Sequence, residues 1–203
     1  MYSFSTNDDP PGALMRIVSG RLKGMKLKSP NGGIVRPTTG NIREAVFNIL
    51  GQDLSGTDFI DLCSGTGAMG LEAASRGANN IFFVERDRKV AQILRDNVQN
   101  AIKRIDQDEL TTRIYEESFE IFLRREYKAS FIYFDPPYDY FYCKDWALKP
   151  YSKIVKPGGF LLMEHPKREP RQIPEFLDGL ELRQTRKYGK SSLSIFESNQ
   201  REN

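Results

Sequence analysis

The stretch from residue 57 to residue 84 constrains the fold most. A short apolar run, Phe59-Ile60-Asp61-Leu62, passes into Cys63-Ser64-Gly65-Thr66-Gly67-Ala68-Met69-Gly70, then into the helix-forming Leu71-Glu72-Ala73-Ala74-Ser75-Arg76-Gly77, and a second apolar run, Asn80-Ile81-Phe82-Phe83-Val84, follows. Two buried strands joined through a glycine-rich loop and a helix form a parallel βαβ unit, which packs back on itself only with a right-handed crossover. The alternation continues: the spacing predicts strands over 57–62, 80–84, 112–115, 129–134 and 159–164 and helices over 68–76, 88–100, 119–125 and 143–154. Leu180 to Tyr188 and Leu193 to Phe196 then read as two strands around a turn at Gly189-Lys190-Ser191-Ser192, an antiparallel hairpin. The expected architecture is α/β, a doubly wound, mostly parallel, seven-stranded Rossmann-like sheet ending in that hairpin. A six-stranded parallel dehydrogenase sheet needs one more crossover helix, for which the remaining residues leave no room.

Ligands of such sheets gather beyond the carboxyl ends of the strands, where Asp61, Glu85, the Ser118 region and Asp135 all fall. The loop glycines, Gly65, Gly67 and Gly70, spell a GxGxxG pattern that serves dinucleotides and other nucleosides alike. Asp61 shifts the balance. A carboxylate facing the cavity there repels a pyrophosphate and attracts the ammonium of an amino-acid-bearing ligand such as S-adenosylmethionine. Glu85 stands where an acid accepts hydrogen bonds from ribose hydroxyls, which either ligand carries.

The run Phe131-Ile132-Tyr133-Phe134 reads as a buried strand that delivers Asp135-Pro136-Pro137-Tyr138 to the same edge. Two consecutive prolines hold the chain extended and leave the Pro136 carbonyl available as an acceptor. One carboxylate and one carbonyl match the two donors of a planar –NH2 group, with Tyr138 available to stack on its ring. Taken alone, the tetrapeptide reads equally well as an Asp-Pro turn.

Lys and Arg number 30 against 27 Asp and Glu, a net charge of only +3, but the distribution is uneven. Between Asp9 and Glu44 there is no acid, while Arg16, Arg21, Lys23, Lys26, Lys28, Arg36 and Arg43 are all present. Alternation through Arg16-Ile17-Val18-Ser19 and Leu22 to Leu27 predicts a small β-hairpin with an outward positive ribbon suited to phosphate. Arg36-Pro37-Thr38-Thr39-Gly40 follows as a connector and Asn41 to Leu50 as a helix, giving expected units of a disordered leader over 1–14, a basic arm over 15–40, a catalytic domain over 41–197 and a tail over 198–203. Two cysteines, Cys63 and Cys143, lack metal-ligand spacing and fit a reducing, cytoplasmic setting. No signal peptide, membrane span or metal site is expected.

These segments together resemble the bacterial 16S ribosomal RNA guanine-N2 methyltransferases of the RsmD type, over nearly all of residues 15–197. The resemblance rests on Arg16-Ile17-Val18-Ser19-Gly20 with Gly24-Met25-Lys26-Leu27, Arg36-Pro37-Thr38-Thr39 with Arg43-Glu44, Asp61 through Arg76, Glu85, Asp135 through Tyr138, Glu164, and Tyr188-Gly189 leading to Leu193. It implies a class I S-adenosylmethionine fold with a basic amino-terminal arm. It also implies methyl transfer to the guanine conventionally numbered 966 in 16S ribosomal RNA, within an assembling small subunit, by a monomer. The chain departs from the family pattern at Gly40, where Asp is common, and at Glu117-Ser118-Phe119, where Asp or Asn with a small apolar residue is common.

The resulting expectation is in-line methyl transfer without a covalent enzyme intermediate. Asp61, Gly65, Thr66 and Gly67 would fix the donor, Glu85 its ribose, and Ser118 and Phe119 its adenine, although Ser118 reads equally as a helix N-cap. Asp135, Pro136, Pro137 and Tyr138 would hold the acceptor amine, and Arg16, Arg21, Lys23, Lys26, Arg36 and Arg43 the RNA. Three other readings fit some of the same residues: a DNA adenine-N6 or cytosine-N4 methyltransferase, a nicotinamide-dependent oxidoreductase, and a non-catalytic RNA-binding assembly factor. His165 beside Pro166 is expected in a turn rather than as a general base, and Trp146 and the Phe141-Tyr142 pair in core packing rather than RNA stacking. Glu164 could line the crevice or pair with Lys167, and Tyr188 could face the base or close the hairpin core.

Overall fold

The structure, a computed structural model, describes residues 15–30, 40–105, 110–143, 145–167 and 173–199. Strands β1 (Asp58–Leu62), β2 (Asn80–Val84), β3 (Thr111–Tyr115), β4 (Ala129–Phe134) and β5 (Val155–Pro166) pair in parallel, and β6 (Phe176–Leu177), β7 (Leu180–Tyr188) and β8 (Ser191–Ser198) complete the sheet. The order is β3-β2-β1-β4-β5-β8-β7-β6, with β8 antiparallel to both β5 and β7. The expected doubly wound sheet with its closing hairpin is therefore present, extended by a two-residue edge strand that makes eight in all. Helices α1 (Gly40–Leu50), α2 (Ala68–Ser75), α3 (Arg88–Ile102) and α4 (Phe119–Phe122) cover it. Side chains alternate faces along each strand, so Phe59, Phe83 and Tyr133 join one buried cluster and Ile60, Leu62, Val84, Ile132 and Phe134 the other. Continuous apolar strands are what a sheet covered on both faces requires.

Several expectations are corrected, among them that of Tyr142, which is 62% exposed while its neighbour Phe141 is buried. The region read as a helix over 143–154 forms short 3-10 turns, Tyr138–Tyr142, Trp146–Leu148 and Tyr151–Ile154. Pro150 lacks an N–H and pushes Lys149 into extended backbone at ψ 149°, so no α-helix can cross it. Buried aromatics set the path instead: the Tyr151 hydroxyl donates to the Trp146 carbonyl at 2.8 Å and lies 2.7 Å from the Tyr140 hydroxyl. His165 lies in β5 opposite Ser192, not in a turn, because β8 supplies a partner strand as far as Pro166. Its ring is buried, with Nε2 2.8 Å from Ser194 Oγ, and burial pulls its pKa down to about 4. The closing turn is the two-residue Gly189-Lys190, since Tyr188 already pairs with Ser191.

The amino-terminal segment lies against the domain. It has the predicted alternation, with Ile17, Leu22, Met25 and Leu27 buried and Arg16, Arg21, Lys23, Lys26 and Lys28 exposed. Around the antiparallel bridge of Arg16 and Lys26, the Ile17 N–H donates to the Met25 carbonyl (3.0 Å), the Gly24 N–H to the Ile17 carbonyl (2.9 Å) and the Leu27 N–H to the Met15 carbonyl (2.8 Å), and the apolar side of the segment packs on the domain. Glu72 of α2, fully buried, accepts hydrogen bonds from the Val18 N–H (2.8 Å) and the Ser19 N–H (2.9 Å), and its charge is balanced by Arg76 at 3.0 Å. Arg76 in turn stacks over the Phe47 ring of α1 at 4.7 Å. Asn97 of α3 accepts from the Lys28 N–H and donates to the Lys28 carbonyl, fixing the segment's far end.

A buried pair that loses one member leaves an uncompensated charge. Glu72→Ala should accordingly lower the unfolding free energy by about 3–5 kcal/mol, read as a drop in the urea midpoint, and a shift within error of zero would contradict this account of the segment.

Candidate functional site

The site is built by strand register. Asp61 of β1 lies level with Phe83 of β2 and Tyr133 of β4, so Glu85 and Asp135 each stand two residues beyond that level, on either side of the loop that leaves β1. The loop is tied to β2: the N–H groups of Cys63 and Ser64 both donate to the Val84 carbonyl, at 3.1 and 2.9 Å. Ser64 Oγ donates to the Asp61 carbonyl (2.6 Å) and accepts from the Val84 N–H (2.8 Å). Cys63 adopts φ 93°, a left-handed conformation that costs a residue with a Cβ about 1–3 kcal/mol and is often found at functional sites.

Gly67 and Gly70 serve packing. A Cβ on Gly67, at φ 85°, would meet Leu94 Cδ1 at 2.4 Å, and one on Gly70 would meet Phe83 Cε1 at 2.3 Å. Gly70 thus lets α2 lie close against β2, while Gly67, in the left-handed region, abuts Leu94 of α3. Since Gly67 caps α2 without a side chain, Asp61 does the capping from the neighbouring strand: its Oδ2 accepts the Gly70 N–H at 2.9 Å. Asp61 is buried, and burial, offset by Gly70 and reinforced by the charge of Glu85, raises its pKa to about 7.

A cavity of about 500 Å³ opens over this loop. Of the residues expected to hold a cofactor, Asp61, Gly65, Thr66, Glu85 and Phe119 line it, and so do Asp135, Pro136 and Pro137 of the proposed acceptor cradle. Gly67 is not among the lining residues; it sits behind the loop as the first cap of α2. Ser118 is not among them either and is the N-cap residue of α4, without a side-chain cap bond. Tyr138 opens the 3-10 turn that follows; its side chain lies outside the described residues. The Pro137 carbonyl is taken by the Tyr140 N–H at 2.9 Å, which anchors that turn.

Glu85 is held in place. Its Oε2 accepts the Gly65 N–H (2.9 Å) and its Oε1 the Asp87 N–H (2.8 Å), leaving the remaining lone pairs for a ligand's hydroxyls. Burial raises its pKa, with the two backbone donors opposing. The cavity walls carry five acids, Asp61, Glu85, Asp87, Glu117 and Asp135, against one cation, Arg86. Such a surface favours a positively charged ligand and opposes a pyrophosphate: at an effective dielectric of 20, each pair of unit charges 4 Å apart is worth about 4 kcal/mol.

Several lining residues escaped the sequence reading. Tyr133 is one, its hydroxyl donating to the buried Glu164 at 2.7 Å, so Glu164 supports the cavity wall rather than lining it. Glu117 is another, gripped by Arg125 at 2.7 and 2.8 Å. Met15 is a third, its sulfur 3.8 Å from Thr66 Oγ1. The strand parity of Tyr133 with Asp135 could have found the first; the others depend on tertiary approach.

Among the residues expected to meet RNA, Arg16, Arg21, Lys23 and Lys26 are exposed along the amino-terminal segment. Arg36 lies outside the described residues. Arg43 is only 5% exposed, next to the buried Ile42 of α1, so it is an interior side chain and not a surface phosphate contact. Among the described residues, no group of three or more His, Cys, Asp or Glu could hold a metal, and no helix is long and apolar enough to cross a membrane.

The family model described as "Conserved hypothetical protein 95" matches residues 15–197. YlbH of Bacillus subtilis is 31% identical over 194 residues, covering 90% of this chain and 98% of that protein. "Ribosomal RNA small subunit methyltransferase D" of Haemophilus influenzae is 29% identical over 164 residues, covering 79% and 83%. The solved structure of yhhF from Escherichia coli superposes with a TM-score of 0.75 at 24% identity, over 92% of this chain and 99% of that one, a likeness of fold.

The raised pKa of Asp61 has a signed consequence. The unfolded carboxyl ionises near 3.8 and the folded one near 7, so between these values the folded state holds the extra proton and stability falls as pH rises. His165, depressed to about 4, contributes with the opposite sign over an overlapping range. Subtracting the urea stability of Asp61→Asn from that of the wild type at each pH isolates the first effect: the difference should decline from pH 4 to pH 7 and then level off, and a flat difference would refute the assignment.

Proposed function

The chain belongs to the Conserved hypothetical protein 95 family, and we propose that it transfers a methyl group from S-adenosylmethionine to the exocyclic N2 amine of a guanine in small-subunit ribosomal RNA. The observation that carries this reading is the common cavity in which the glycine-rich loop and Asp61 lie between Glu85 on one side and Asp135-Pro136-Pro137 on the other. The printed name of the Haemophilus relative supports ribosomal RNA as the substrate class. The 16S guanine at position 966, met in an assembling subunit in the cytoplasm by a monomeric enzyme, is the finer form of the proposal and rests on the motif resemblance.

The residues present fit the donor. Asp61 offers a buried carboxylate to an ammonium, and ion pairing there favours its charged form at neutral pH. The fixed Glu85 carboxylate offers acceptor lone pairs to two ribose hydroxyls, and Phe119 an apolar face to the adenine. When bound, S-adenosylmethionine supplies an electrophilic methyl on a positively charged sulfur. The acidic walls stabilise that charge and oppose the diphosphate of a nicotinamide cofactor, which weighs against an oxidoreductase.

The acceptor nitrogen is a weak nucleophile because its lone pair is delocalised into the ring. Asp135 and the Pro136 carbonyl accept its two N–H groups, favour the pyramidal geometry of attack and offset the positive charge that grows there. The proton leaves after transfer, so no residue need act as a strong base. A paired guanine must first leave its stack to reach the cavity.

Asp135→Ala should reduce methyl transfer by about a hundredfold or more, while calorimetry shows S-adenosylhomocysteine binding nearly unchanged. Labelled donor incubated with small-subunit RNA, free and as assembled particles, followed by mapping of the modified base, tests the substrate. Label at N6 of adenine or only in DNA would move the assignment to the DNA amino-methyltransferase reading, and full function of Asp135→Ala in cells would favour an assembly factor.

A further inference from the structure

A second cleft, of about 490 Å³, opens where the amino-terminal segment meets the end of α3. Four cations line it, Arg16 and Lys26 from the segment and Lys103 and Arg104 from the turn that ends the helix, with Gly24 and Asn100 between them. All four are exposed, and among the described residues none is in an ion pair. Two of them are placed by backbone geometry. Arg16 and Lys26 face each other across the single antiparallel bridge, and Arg16 Nη1 donates to the Gly24 carbonyl at 3.3 Å. Gly24, at φ 82°, has no atom within 4 Å of where a Cβ would stand, so the backbone there is open to a ligand. A helix C-terminus carries about half a negative charge, which four full positive charges outweigh.

We propose that this cleft is a phosphodiester subsite that holds the backbone of the RNA strand whose target base enters the cavity. The proposal rests on the ribosomal RNA reading above and adds Lys103 and Arg104 to it, residues that the sequence presents only as the solvated end of a helix. Continuity favours a strand over a small anion: Met15 lines the cavity and Arg16, the next residue, lines the cleft, so one strand can place a base in the first and its phosphates in the second. The chemistry also favours it, because cations from two separate elements bordering a cleft of this size suit successive phosphates better than one. The two concavities also differ in sign: the acidic cavity repels phosphate and accepts a base, and the basic cleft does the reverse.

The test is RNA binding by the full chain, with a labelled small-subunit RNA stem-loop as probe and fluorescence anisotropy as readout. Lys103→Glu with Arg104→Glu should weaken binding at low salt by tenfold or more and lower the slope of log affinity against log salt by about 1–2. Lys128→Glu with Lys153→Glu, which reverses the same charge near the amino ends of β4 and β5, should keep the wild-type slope. Calorimetry with S-adenosylhomocysteine should give the wild-type affinity in both and so report an intact domain. The neutral pair Lys103→Gln with Arg104→Gln should fall between wild type and reversal. Equal losses in the two charge-reversed proteins, an unchanged slope in the neutral pair, or a loss seen only with phosphatidylglycerol vesicles would overturn the proposal. Wild-type protein that binds this RNA with the full slope yet methylates none of it would contradict the methyl-transfer reading and leave the subsite standing.

Discussion

The parallel register of β1 between β2 and β4 is the constraint on which the site depends. It sets Asp61 level with Phe83 and Tyr133, so the chain leaving β1 must pass between Glu85 and Asp135. Ser64 locks that passage by bonding to the backbone of both strands, and Cys63 accepts a left-handed conformation to make the turn. Two carboxylates whose like charges repel are thereby held around one cavity, each with its own backbone donors: Gly70 for Asp61, Gly65 and Asp87 for Glu85. Burial still wins at Asp61, whose pKa rises to about 7 despite its hydrogen bond. A cationic group beside it would favour the charged form.

The amino-terminal segment is part of this machinery rather than an appendage. Glu72 and Ser75 of α2 bind its backbone on one side, where Ser75 Oγ accepts the Leu22 N–H at 2.8 Å. On the other side Asn97 bonds both Lys28 and the Thr66 carbonyl of the glycine-rich loop. The same helices that position the loop therefore position the exposed cations. A basic face and an acidic cavity are joined through buried polar groups, so the same packing fixes the position of both.

Much of this was legible in the sequence because periodicity and punctuation are local. The strands over 57–62, 80–84 and 129–134 and the helix from 68 are found almost residue for residue, since apolar runs and glycines mark them directly. Asp61, Glu85 and Asp135 could be grouped because strand ends in a doubly wound sheet share one edge. The misreadings came where a distant partner overrides the local pattern. His165 looks like a turn residue beside Pro166 until β8 pairs with it, and residues 143–154 look helical until Pro150 and the aromatic cluster around Trp146 divide them. Arg43 reads as one more surface cation until α1 turns it inward.

The sequence by itself determined the class of fold, the order of its elements, the three acids at their strand ends and the alternation that turns cations outward at the amino end. These follow from backbone sterics and from the burial of apolar side chains at fixed periods. Tertiary structure alone decided that Glu117 and Met15 belong to the cavity, that Glu164 stands behind its wall, that Ser118 does not reach it, and that Lys103 and Arg16 border one cleft. Each of these depends on the register of parallel strands and the docking of helices across them, which is set by contacts between residues far apart in the chain and leaves no periodic trace within it.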